Sequence, residues 1–283
     1  MPEPGRSKEL GVAGVICACL MVCLALVSSC EKLPVAPETV INELDTSHPG
    51  FIQPVTTIDS APAPTIAVPT ATFSWHGNSS VALFSYRIDS SAWSGWTAGT
   101  GVTITYLDDG PHAFSVRGEH RNQVTVEAQP PVRNFTVSAV AAPAVIFQPR
   151  LLSVDSGAAF SYEIRTLGVT SLFASRLIVS YDPLIAAIDS VSPGGFLAGN
   201  GGSVLPPFVK IDNVTGTVEV DLVVVGGTPK GVSGGGVIAV LWCRSLRPGV
   251  CDFSFDASSA ALRDTSNAAI VIHDIVNGRL IVR

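Results

Sequence analysis

The sequence predicts an all-β protein built as two tandem β-sandwiches, and three observations predict it. Charged residues make up only 14% of the chain, against about a quarter in an ordinary globular protein. From Ala71 to Arg283 short runs alternate apolar and polar residues with period two and are rich in β-branched and aromatic side chains. Clusters of Gly, Asp, Asn, Ser and Pro interrupt those runs at short intervals, as tight turns require. The 283 residues leave room for two modules of ordinary domain size plus a leader and a linker.

The chain opens on an address. Arg6 and Lys8 form a basic start, Gly11–Val27 is uncharged and apolar, and Val27-Ser28-Ser29-Cys30 follows. A basic start, a short apolar run and small residues read as a signal peptide over residues 1–29. Because the small residues lead straight into Cys30, the segment resembles the bacterial lipoprotein signal. The resemblance implies cleavage before Cys30 and lipidation of Cys30, giving a membrane anchor of two or three acyl chains, enough for stable attachment. The competing reading is an uncleaved anchor, for which Gly11–Ser29 is at the short end of what spans a bilayer. Glu31 after the cysteine, by analogy with enterobacterial sorting, favours the outer membrane. Everything after Cys30 is then expected outside the cytoplasm, at the outer membrane or cell surface.

Residues 30–70 hold Pro34, Pro37, Pro49, Pro54, Pro62, Pro64 and Pro69. Proline at that density blocks helix and sheet and predicts an extended tether. Residues 71–140 then read as a small sandwich. Within them Tyr106-Leu107-Asp108-Asp109-Gly110-Pro111-His112-Ala113-Phe114 reads as strand, tight turn, strand. That passage, with FSYRIDSSAWSGW before it and FTV after it, resembles bacterial immunoglobulin-like repeats. The expected fold is therefore an immunoglobulin-like β-sandwich. Trp93 and Trp96 lie in a turn and are candidate glycan contacts, since exposed indoles stack on sugar rings; the plainer reading makes such aromatics core or ordinary surface.

After the Pro/Ala hinge AVAAPAVI, residues 143–283 form the second module. Tyr181-Asp182-Pro183 ends a strand, because Pro has no donor and restricts its predecessor. VEVDLVVV and VIAVLW are apolar enough for central strands, with Trp242 read as core. Gly234-Gly235-Gly236 is read as a sharp turn before the second of these runs, and Asn277-Gly278 as a hairpin joining the last two strands. The order of these marks resembles the cohesin family, over nearly all of residues 145–283. The resemblance implies a nine-stranded jelly-roll β-sandwich that captures a dockerin-bearing partner, with the calcium on the partner. It also implies that the regions around Ala174–Ser180 and Val218–Val224 face that partner, without telling which alternate side chains point outward. Cohesins share their jelly roll with carbohydrate-binding modules, so polysaccharide binding is the alternative, and a purely structural surface lipoprotein or adhesin the third reading.

Other chemistry finds little support. A net charge of −6 gives no reason to expect nucleic acid. The five histidines, His48, His76, His112, His120 and His273, are scattered through linker and turns, and no zinc-protease, serine-elbow or phosphate-cradle motif occurs. Asp108, Asp109 and Asp182 are better explained as turn residues than as calcium ligands. Cys17 and Cys19 sit in the apolar leader without His or acid nearby, which argues against metal. No catalytic residue, metal or cofactor is expected, and the chain reads as a binding protein, not an enzyme. Cys243 and Cys251 flank RSLRPGV; they either staple a hairpin as a disulfide or remain reduced as small buried hydrophobes.

Overall fold

The computed structural model describes residue 42 and residues 44–205, 207–226 and 231–283. The signal segment, Cys30 and the start of the proline-rich run lie outside the described residues. Gln53–Arg283 form one compact unit, distinct from Met1–Ile52. That unit is almost entirely β, and its sheets pack as sandwiches.

The first module comprises β1 (Thr56–Ser60), β2 (Thr65–Ile66), β3 (Thr70–Gly77), β4 (Val81–Ile88), β5 (Gly101–Thr105), β6 (Gly110–His120) and β7 (Val132–Val137). One sheet has the order β1-β3-β5 and the other β2-β7-β6-β4. Period-two alternation sends Ala71, Phe73 and Trp75 of β3 inward, each 1% exposed. There Phe73 stacks on Phe114 with centroids 3.9 Å apart, and Phe135 meets Phe73 edge-on.

The module starts earlier than residue 71. β1 pairs antiparallel with β3, and β2 pairs parallel with β7. Buried Glu127 ties β1 in: its two carboxylate oxygens accept the Thr56 N–H at 2.9 Å and the Gly118 N–H at 3.0 Å. Pro62, Pro64 and Pro69 fall between strands, where a missing donor costs nothing to the ladder. The β-branched Thr56-Thr57-Ile58 run outweighs the surrounding proline density.

The second module comprises β8 (Ala144–Gln148), β9 (Leu151–Val154), β10 (Ala159–Ser180), β11 (Ala186–Pro193), β12 (Ser203–Val204), β13 (Phe208–Asp212), β14 (Thr217–Val225), β15 (Val232–Ser245), β16 (Gly249–Phe255), β17 (Ala261–Asp264), β18 (Ala269–Ile270), β19 (Asp274–Val276) and β20 (Gly278–Val282). The first half of β10 pairs with β15 and β8, and β15 with β11. The second half of β10 pairs with β14 and β17, and β14 with β13. One 22-residue strand thus belongs to both layers. Between them lie Tyr162, Ile164, Leu177, Val179, Leu222, Leu241, Phe253 and Leu280, all fully buried.

Two local expectations are corrected. Gly234, Gly235 and Gly236 lie inside β15, opposite the irregular stretch of β10 (Val169 pairs Gly234, Thr166 pairs Gly236). They permit close approach there: a Cβ on Gly236 would stand 2.7 Å from the Phe196 ring. Nor is Asn277-Gly278 a hairpin. β19 runs parallel to β8, whereas β20 pairs with β16 and β9, so the dipeptide is a step from one strand partner to another. The Asn277 side-chain oxygen accepts the Phe255 N–H at 3.1 Å.

A polar clasp joins the modules. The Asp108 carboxylate accepts the backbone N–H of Arg150 at 2.8 Å, and Asp109 pairs with the Arg150 guanidinium at 2.6 Å. The other Asp109 oxygen accepts the N–H groups of Ala139 and Val140, at 2.9 and 3.0 Å. Arg150 is only 6% exposed, so its charge needs that partner. Burial holds the Asp108 carboxyl above its usual range, with the Arg150 N–H opposing. Beside it, the Arg279 guanidinium lies 4.9 Å from the Tyr106 ring centroid. The residues read as turn chemistry therefore also hold the second module.

Removing Asp109 should strand a buried guanidinium. Asp109→Ala is expected to lose about 3 kcal/mol of stability. Asp108→Asn, which keeps an acceptor for Arg150, should stay within about 1 kcal/mol of the parent in denaturant unfolding.

His112 supplies a pH dependence next to the clasp. Its Nδ1 lies 2.8 Å from Asp89 Oδ2 and its Nε2 lies 2.8 Å from the Asp108 carbonyl oxygen. Two acceptors on one ring favour the doubly protonated imidazolium. Burial works against the charge, but the hydrogen bonds to Asp108 and Asp89 outweigh it and raise the pKa above 6.5. The stabilisation is full below the unfolded value and is lost as pH rises through the folded one. Denaturant unfolding should therefore show the parent losing stability relative to His112→Gln as pH rises from the ordinary histidine range through the raised folded value.

Candidate functional site

The site is the outer face of the layer β17–β10–β14–β13. Inward alternation fixes it: Leu177, Val179, Val218, Val220, Leu222 and Val224 are all 0% exposed. Their sequence neighbours must then point out. Register aligns them in rows. Ala174 sits opposite Val223, Arg176 opposite Asp221 and Ile178 opposite Glu219. On β13, Phe208 faces Asp221 and Lys210 faces Glu219. On β17, Ala261 faces Arg176 and Arg263 faces Ala174.

Charges occupy the middle of this face and apolar groups its margin. Arg176 pairs with Glu219, and its Nε stands 3.9 Å from Asp221. Burial and then the nearby Glu219 raise the pKa of Asp221, while Arg176 pulls it down. At 3.9 Å the Arg176 Nε is too far for a hydrogen bond, so the buried Asp221 Oδ1 meets its charge without bonding to it. At the edge Phe208 is 58% exposed and Val225 38%. The Ala174–Ser180 and Val218–Val224 segments named from the sequence therefore do share one face. What sequence reasoning missed was Phe208, on a strand it did not single out, and the outward set of alternate residues. The buried set, once known, decides that parity.

The other sequence candidates lie elsewhere. Residues 94–97 run along β4: the Ser94 N–H donates to the Tyr86 carbonyl, the Tyr86 N–H donates to Ser94 Oγ, and Phe84 pairs with Thr97. This carries both indoles across to two arginines. The Arg87 and Arg117 guanidiniums stand 4.5 and 4.2 Å from the Trp93 ring centroid, and Arg117 stands 5.0 Å from Trp96. A guanidinium thus stands near each indole ring, and Trp96 is exposed.

Cys243 and Cys251 are both buried free thiols. β15 and β16 are not paired neighbours, so the hairpin assumed from the sequence does not form, and both thiols lie in the one core of the second module. Burial pushes the Cys243 thiol well above its usual range and the Cys251 thiol up to about 11. Asp182 caps its own turn, accepting the Leu184 N–H at 2.8 Å. Among the described residues no three His, Cys, Asp or Glu side chains converge to hold a metal. Trp242, read as core, is instead 49% exposed.

No family model matches the chain, and no curated protein matches it. Among solved structures it is similar to a non-cellulosomal cohesin from the hyperthermophilic archaeon Archaeoglobus fulgidus, at 13% identity over 50% of this chain and 90% of that one, with a TM-score of 0.40. A type I cohesin–dockerin complex from Clostridium thermocellum gives 14% identity, 50% and 98% coverage and 0.41. The cohesin CaCohA2 of Clostridium acetobutylicum gives 17%, 49% and 90% coverage, and 0.41.

Because the two thiols are buried and unbridged, alkylation under native conditions should leave both unlabelled. Unfolding without reductant should label both Cys243 and Cys251, and peptide mass spectrometry reads the difference; a linked pair would stay unlabelled until reduced.

Proposed function

We propose that this chain is an envelope-anchored binding protein that captures a dockerin-bearing protein on the outer face of β17–β10–β14–β13. The observation that carries the reading is the make-up of that face, with Arg176, Glu219 and Asp221 brought together at its centre. Exposed Phe208 and Val225 border it. Faces that mix charged and apolar side chains suit protein partners, whose own charges meet them while apolar contacts exclude water. The sequence resemblance to cohesins points to the same strands. In this reading calcium belongs to the partner, Cys30 carries the lipid, and the chain displays the binding module outside the cytoplasm. Catalysis plays no part.

The test uses the immobilised full chain, incubated with proteins of its source cell, with and without a calcium chelator. A retained protein carrying a duplicated calcium-loop module, released on chelation, is the expected outcome. Arg176→Glu would place a third acid beside Glu219 and Asp221, and should weaken capture by about tenfold or more, an equivalent of about 1.4 kcal/mol, with an unchanged thermal midpoint. Retention of no such protein, or capture indifferent to Arg176→Glu, overturns the reading.

A further inference from the structure

The opposite layer, β11–β15–β10, presents a second and chemically different face. Trp242 stands at its centre, 49% exposed. Its cross-strand neighbours are Ser190 on β11 and Ser161 on β10, both too small to cover an indole. The indole N–H donates to Ser192 Oγ at 3.0 Å, which reaches across to the neighbouring strand and fixes the ring over the sheet. Trp75 is 1% exposed in the first core, and guanidiniums engage Trp93 and Trp96. No stacked ring or cation meets Trp242 among the described residues.

Two ion pairs lie on the strands that carry and flank the ring. Arg244, two residues along β15, reaches Asp189 at 3.2 Å, and Arg165 reaches Glu163 at 3.0 Å from the β10 side. The indole is thus a fixed flat aromatic surface on a layer that also carries carboxylate and guanidinium groups. A sugar ring with all-equatorial hydroxyls offers the complement. Its axial C–H groups form an apolar face that stacks on an aromatic, and its hydroxyls radiate in the ring plane to meet polar groups.

From this geometry we infer that Trp242 is a stacking platform for a β-linked, gluco-configured polysaccharide. The inference goes beyond the capture of a protein partner and uses the other side of the sandwich. Either can fail without the other.

The test is a titration of the full ¹⁵N-labelled chain with cellohexaose, followed by NMR of the indole N–H signals, of which four tryptophans give four. The signal absent in Trp242→Phe identifies Trp242. It should shift progressively and saturate with a Kd of about 0.1–10 mM, the weak range of a single platform. Trp242→Ala, read through the backbone signals around Ser190 and Ser161, should bind at least about tenfold more weakly, with the three other indole signals in place as evidence of an intact fold. No movement of the Trp242 signal on saturation, or undiminished binding by Trp242→Ala, overturns the inference. So does a Trp242 signal that answers to a protein ligand and not to cellohexaose, which would make the face a protein contact.

Discussion

The second module depends on one strand serving two sheets. β10 can do this because its ladder breaks between Thr166 and Val169 and again between Val169 and Leu172. Gly168 and Ser171 there take φ values of +60° and +54°, a left-handed backbone that glycine adopts freely and serine at some cost. Such irregularities bend a strand and re-aim its side chains. Before the bend, Tyr162 and Ile164 face the core from one layer; after it, Leu177 and Val179 face the same core from the other. A regular strand of 22 residues could not do so, and the two outer faces would not lie back to back.

The same economy of buried charge governs the junction. Few ionised groups are buried in this chain, and those that are carry structural duties. Glu127 holds β1 to the first module, and Arg150 is held by the turn of that module from across the boundary. An isolated buried charge is far more costly than a lost apolar contact. These groups therefore specify one arrangement where apolar packing alone would tolerate several.

Much of this was legible in the sequence. Period two, the turn clusters and the apolar β14 and β15 runs fixed the fold class and the central strands, because alternation and turn chemistry are local. Trp242 shows where local reading stopped. The run Val237–Cys243 looks buried on both faces, yet Cys243 is 2% exposed and its neighbour is not; parity alone puts the two side chains on opposite faces once either is known to be core. Partnership was equally illegible. Asn277-Gly278 is the strongest local signal for a hairpin, but whether two strands pair is settled by distant ones, here β8, β9 and β16. The thiols follow the same logic, since spacing says nothing about which layer each strand joins. The early start of the first module was hidden because prolines dominate a window that Glu127, far along the chain, pulls into the sheet.

The two outer faces are therefore different in kind for a physical reason. On β14 the outward positions are Glu219, Asp221 and Val223, so charged side chains paired with Arg176 cover the middle of the sheet. On β15 and β11 they are Val240, Trp242, Arg244, Asp189, Ser190 and Ser192, so the serines beside Trp242 leave one large ring uncovered. Both sets alternate with inward residues that share a single close-packed core, and interiors of that density tolerate little displacement. Outward substitutions on either layer leave that core intact. Inward ones disturb both faces together, because β10 is common to them. The sandwich can thus vary the chemistry of each surface independently while the core and the bend in β10 hold both in place.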